Sequence, residues 1–249
     1  MPTVSQREPR AGLNAMTTIK AVVFDLDGTL IDSNWVHLQS WRTARKNLGL
    51  QVLDQEVVDR LGLKMVDIAR ALVSDRGEQT VMRLVELKSR LFEDAWRIEV
   101  KPCHGAVDTL QILKGKGVRT AVASSNSIER ISKALRYYGM DSLLDTVVGI
   151  DEVEAGKPDP ALVIAAIRKL GVAPKESMYV GDSRYDIEAG KAAGSQTVLV
   201  VQPIAAQSNL RVEPDYRIRS LRELRRIIWP DFLSQRKQRL HSHVPRTGQ

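Results

Sequence analysis

From residue 106 to residue 201, short apolar runs alternate with helical segments, and this alternation constrains the fold more than any other feature of the chain. Apolar runs at 118–123, 146–148, 177–180 and 197–201 read as strands, and 106–114, 128–138, 160–170 and 186–193 read as helices. An earlier apolar run at 20–25 supplies one more strand. Strands this short and this continuously apolar are covered on both faces, which predicts an α/β fold with a doubly wound parallel sheet. A last amphipathic helix is expected at 221–228.

Between the first strand and that alternation the pattern changes. Residues 34–96 show helical spacing, as at Trp35, Leu38, Trp41 and Leu48 and again at Leu84, Leu87 and Leu91, with Gly49, Gly62 and Gly77 as punctuation. An all-helical cap domain at 34–100 is therefore expected, inserted into a core domain made of 19–33 and 101–229. Residues 1–18 mix Pro, Gly, Ser and Arg without period and read as a mobile leader. Residues 230–249 read as a basic C-terminal tail.

The composition excludes several classes. No apolar run approaches the roughly 20 residues of a membrane span, and the N-terminus has no apolar signal region. One cysteine, Cys103, leaves no disulfide framework and suits a reducing, cytoplasmic setting. The net charge is +7, and ten Lys or Arg against four Asp or Glu after Gln202 account for most of it. Aromatic side chains do not interleave with these charges as in single-strand binders, so neither nucleic acid nor membrane is an expected partner. A monomer and a homodimer are both compatible with the sequence.

In a doubly wound sheet, ligands sit beyond the carboxyl ends of the strands. The residues expected there are Asp25 and Asp27, then Ser124, Ser125 and Asn126, then Lys157, and finally Asp182 and Asp186. Each taken alone has an ordinary role: Asp-Gly as a turn, Asn126 as a helix cap, Asp182 and Asp186 as first-turn acids. Together they make a set for phosphoryl transfer. Carboxylates hold a hard cation such as Mg²⁺, one carboxylate can attack phosphorus, and a second can move the proton. Hydroxyls, amides and a lysine hold the phosphoryl oxygens.

The stretch FDLDGTL at Phe24–Leu30 resembles the first motif of the haloacid dehalogenase-like hydrolase superfamily. Ser124 in VASS, Lys157 in GKPDP, and Asp182 and Asp186 in GDSRYD resemble the later motifs in the same order, over about residues 19–228. The helical insert is similar to the cap of the branch with phosphoglycolate phosphatase and β-phosphoglucomutase. The resemblance implies a Rossmann-like core and a Mg²⁺-dependent phosphatase acting on a small phosphorylated metabolite through an aspartyl-phosphate. It makes Asp25 nucleophile and metal ligand, and Asp27 acid, base and carbonyl ligand. Ser124, Ser125 and Asn126 become phosphoryl contacts, and Lys157 a charge neutraliser. Asp182 becomes the third ligand, and Asp186 a ligand through water or one layer behind. The acid at Asp27 favours phosphate over carbon–halogen chemistry.

Some readings stay open. His37 lies where β-phosphoglucomutase-like proteins carry a cap-linker histidine, which keeps a sugar phosphate mutase as the alternative. Arg60 and Lys64 fall in a cap turn and either face the substrate or are surface charges. A phospho-accepting signalling domain would lack the cap and carry its aspartate after a middle strand. Trp35 and Trp41 are expected in packing rather than as a ligand platform.

Overall fold

The computed structural model describes residues 18–230 apart from 52, 74, 75 and 209. The expected leader and tail lie outside the described residues except for Thr18 and Pro230. Among the described residues six strands form one sheet: β1 (Ala21–Phe24), β2 (Arg119–Ala123), β3 (Thr146–Val148), β4 (Ser177–Gly181), β5 (Gln196–Val200) and β6 (Tyr216–Ile218). Their order is β3-β2-β1-β4-β5-β6, and every neighbouring pair is parallel. The chain winds outward from β1 through β2 and β3, then returns to the other side of β1 and winds outward again. The reversal falls between β1 and β4, which opens a crevice at their carboxyl ends.

The two-residue period of β1 explains how both faces are covered. Val22 and Phe24 point into one core with Leu110 and Leu113 of α5 (Ala106–Gly115) and Ile131 and Leu135 of α6 (Ile128–Tyr137). Ala21 and Val23 point into the other with Leu162, Ala166 and Leu170 of α7 (Ala161–Leu170). Ala189 of α8 (Arg184–Ala192) joins that second layer.

Four helices stand between β1 and α5: α1 (Asn34–Asn47), α2 (Asp54–Val58), α3 (Met65–Leu72) and α4 (Gly77–Glu99). They carry their own apolar core, with Leu38, Trp41, Leu61, Ile68 and Leu84 buried together. This is the inserted helical cap. The two linkers that join it to the sheet lie side by side. Asp32 N donates to Lys101 O at 2.8 Å and Cys103 N to Leu30 O at 2.9 Å.

Three details depart from expectation. The sheet has a sixth strand, β6. The last helix is shorter than 221–228, because a 3₁₀ turn at Leu221–Glu223 precedes α9 (Leu224–Ile228). Helix α8 starts at Arg184 instead of 186, because Ser183 caps it. Asp186 N donates to Ser183 Oγ at 3.3 Å while Ser183 N donates back to Asp186 Oδ2 at 2.9 Å.

Candidate active site

Asp25 directly follows β1, and its backbone N donates to Val180 O of β4 at 2.9 Å. This places the side chain in the crevice at the sheet reversal, where it is buried. The Lys157 ammonium lies 2.6 Å from Asp25 Oδ1 and 2.7 Å from Asp186 Oδ1, and all three side chains are out of solvent. Tyr179 OH donates to Asp186 Oδ1 at 3.1 Å, and Ser183 Oγ donates to its Oδ2 at 2.6 Å. Asp182, one residue past β4, accepts from Asn34 Nδ2 of the cap helix α1 at 2.6 Å.

Asp27, two residues after Asp25, has different partners. It accepts from Ser33 Oγ and Asn126 Nδ2, each at 2.5 Å, and His37 Nε2 lies 3.1 Å away. Ser124 is buried just past β2, and Asn126 N donates to its Oγ at 3.3 Å. Ser125 Oγ is turned toward the cap and donates to Gly62 O at 2.9 Å. Asp25, Asp27, Ser124, Ser125, Asn126, Lys157, Asp182 and His37 border one cavity of about 350 Å³ between cap and core. Lys64 also borders it, with its ammonium donated to Glu154 O at 2.9 Å. Arg60 does not border it, and its guanidinium returns to Glu56 O at 2.7 Å within the same turn. Trp41 is buried in the cavity wall, whereas Trp35 is 48% exposed.

A family model described as haloacid dehalogenase-like hydrolase matches residues 22–200. The chain belongs to that family. The pyrophosphatase PpaX of Halalkalibacterium halodurans is 30% identical to this hydrolase over 212 residues, covering 84% of the chain and 97% of the relative. The enzyme of the same name from Bacillus velezensis is 30% identical over 209 residues, covering 83% and 94%. The fold is shared with the crystal structure of a predicted phosphoglycolate phosphatase from Haemophilus somnus. That match has TM-score 0.75 and 24% identity over 85% of this chain and 99% of the other. It is also shared with β-phosphoglucomutase from Clostridium difficile, with TM-score 0.73 and 17% identity over 90% and 99%.

The hydrolase carries an acid cluster suited to a divalent cation. One carboxylate oxygen from each of Asp25, Asp182 and Asp186 lies within 4.8 Å of the others, and all three residues are buried. Burial pushes the Asp25 carboxyl up to about 7, with the Lys157 ammonium opposing the rise and the Asp186 charge adding to it. Burial, with the Asp186 and Asp25 charges, raises Asp182 well above the carboxylate range. A hard cation with oxygen ligands offsets this crowding, so the residues fit a metal. Gly28 keeps the floor open: at φ +69° a Cβ there would stand 2.1 Å from Asp182 Oδ2.

Asp27 is tuned in the opposite direction. Burial works to raise its carboxyl, but His37 and the hydrogen bonds from Ser33 and Asn126 outweigh it and hold Asp27 below the usual range. Behind His37, Lys88 Nζ lies 2.7 Å from His37 Nδ1 and 4.7 Å from the centre of the Phe92 ring. Ser33, Asn34, Lys88 and Arg130 belong to this surround and escape a strand-end reading of the sequence, because they follow no strand directly. Lys88 does leave a signal. It is the one charged residue among the buried positions Val81, Leu84, Lys88 and Trp96 of α4.

Proposed function

We propose that the hydrolase is a Mg²⁺-dependent phosphatase for a small phosphorylated metabolite, working through an aspartyl-phosphate on Asp25. The observation that carries this reading is the division of labour between two aspartates two residues apart. Asp25 is buried against Lys157 and the acid cluster, while Asp27 is held at the cavity by Ser33, His37 and Asn126.

In the first half, an Asp25 oxygen attacks phosphorus as the bond to the leaving oxygen breaks, and Asp27 gives that oxygen a proton. A phosphate dianion arriving between the two aspartates raises the Asp27 carboxyl toward the protonated form the step needs. In the second half, Asp27 takes a proton from water, the water oxygen attacks phosphorus, and Asp25 is released with inorganic phosphate. Ser124, Ser125, Asn126 and Lys157 hold the phosphoryl oxygens and offset their charge. Asp25, Asp182, the Asp27 carbonyl and, directly or through water, Asp186 would hold Mg²⁺. When bound, Mg²⁺ supplies positive charge to the cluster and to the phosphoryl oxygens.

The domain division follows the same reading, with a cap at 34–100 that closes over a core of 19–33 and 101–229. Its hinges are placed at 31–34 and 100–104, where the paired linkers run. The test is a panel of phosphorylated metabolites with Mg²⁺, including phosphoglycolate, pyrophosphate and β-glucose 1-phosphate. Chelator-sensitive release of inorganic phosphate supports the reading. Isomerisation of the sugar phosphate without release assigns a mutase instead.

A further inference from the structure

Among the described residues four Lys or Arg side chains border the cavity: Lys64, Lys88, Arg130 and Lys157. Lys157 is committed to Asp25 and Asp186. Lys64 is committed to the Glu154 carbonyl. Lys88 is committed to His37, is 2% exposed, and is pressed down to about 7, chiefly by burial and with a contribution from the Arg130 charge. The Arg130 guanidinium has no hydrogen bond or ion pair among the described residues, although it borders the cavity and is half-buried. Its nearby acid, Glu93, is taken by Lys133 and Trp96 Nε1. An uncommitted, permanently charged fork beside an anion-binding loop lacks only its anion.

Arg130 belongs to α6, six residues beyond Ser124, so it enters the cavity from the core. Beside His37, Lys64 and Lys88, the cap lines the cavity with the apolar side chains of Trp41, Leu63, Met65, Val66 and Val85. About 350 Å³ also exceeds what one small inorganic anion fills and lies within the range of sites for organic ligands.

We infer that the leaving group is organic, with an apolar body lying on the cap wall and one anionic group bound by Arg130, which makes Arg130 a specificity-determining residue. This rests on the phosphatase reading. It separates the hydrolase from an enzyme whose leaving group is bare phosphate.

A matched pair of esters tests it: phenyl phosphate and 4-carboxyphenyl phosphate, which share a ring and differ in one carboxylate. In Arg130→Gln, KM for the carboxylate ester is expected to rise about tenfold or more, with kcat unchanged, as for loss of a charge-assisted hydrogen bond. Both constants for phenyl phosphate should stay within about twofold, which also shows that the variant is folded, and Arg130→Lys should recover part of the lost KM. In the wild type, kcat/KM for the carboxylate ester should exceed that for pyrophosphate. An equal change for both esters, no change for either, or a preference for pyrophosphate overturns the inference and leaves the phosphatase reading standing. Cleavage of pyrophosphate but of neither ester overturns the inference alone, whereas phosphate release from none of these substrates and from none of the metabolite panel overturns the reading itself, and the inference with it.

Discussion

Lys88 shows how one residue can be placed against its ordinary chemistry. Burial lowers its ammonium from the ordinary 10.5 to about 7, with the Asp27 and Glu93 charges opposing the lowering and Arg130 adding to it. His37 faces it from α1 and the Phe92 ring from its own helix. Between pH 7 and pH 10.5 the unfolded chain thus binds a proton at this lysine that the folded chain does not, so the group's contribution makes stability rise with pH across that window. Lys88→Met should flatten the rise and leave stability equal or higher at pH 7, since an apolar isostere removes a buried charge. Urea unfolding of both proteins at pH 7 and pH 9.5 measures this, and equal slopes would sink it. The aspartates were legible in the sequence because they follow apolar strands at fixed offsets. The lysine was not, because a charge on a helix is ordinarily read as solvated, and only the surrounding apolar stripe marks it otherwise.

At the scale of elements, strands and helices were legible wherever an apolar run was long enough to be covered on both sides. Strand β6 failed that condition. It has three residues like β3, but Arg217 interrupts its apolar run and Tyr216 is 38% exposed, so only Ile218 is buried. It pairs with β5 alone, so it carries neither the apolar run of a central strand nor a clear alternation. Helix α8 shows the reverse, since its close approach to the sheet depends on one small residue. A Cβ on Gly190 would meet Thr197 Cγ2 of β5 at 2.7 Å and Tyr179 Cδ1 of β4 at 3.1 Å. Gly190→Ala therefore trades better helix propensity for overpacking against two strands and should destabilise the protein by about 1–3 kcal/mol. Chemical denaturation reads this directly, and an unchanged or increased stability would show that α8 can lift without cost.

Across the whole molecule, the core supplies the floor of the cavity and the cap its roof. Asn34 and His37 from the cap's first helix reach Asp182 and Asp27 of the core. Ser125 of the core reaches back to Gly62 of the cap. The inserted helices were visible in the sequence as a break in the strand–helix alternation, but which of their cations face the substrate was not. Helical spacing groups residues by face without saying what that face meets. Arg60 and Lys64 share one turn, yet only Lys64 borders the cavity, and Arg130 enters it from the core. What joins cap and core into one account is the chemistry assigned to the two aspartates between them.

That chemistry is tested most directly by trapping the covalent intermediate in Asp27→Asn, where water activation is removed and attack by Asp25 is kept. After incubation with Mg²⁺ and 4-nitrophenyl phosphate, whose leaving group departs without the proton Asp27 otherwise gives, mass spectrometry should find one phosphoryl group on the peptide carrying Asp25, and none in Asp25→Asn. A phosphoryl group on any other residue, or wild-type turnover in Asp25→Asn, would contradict the assignment of Asp25 as the nucleophile.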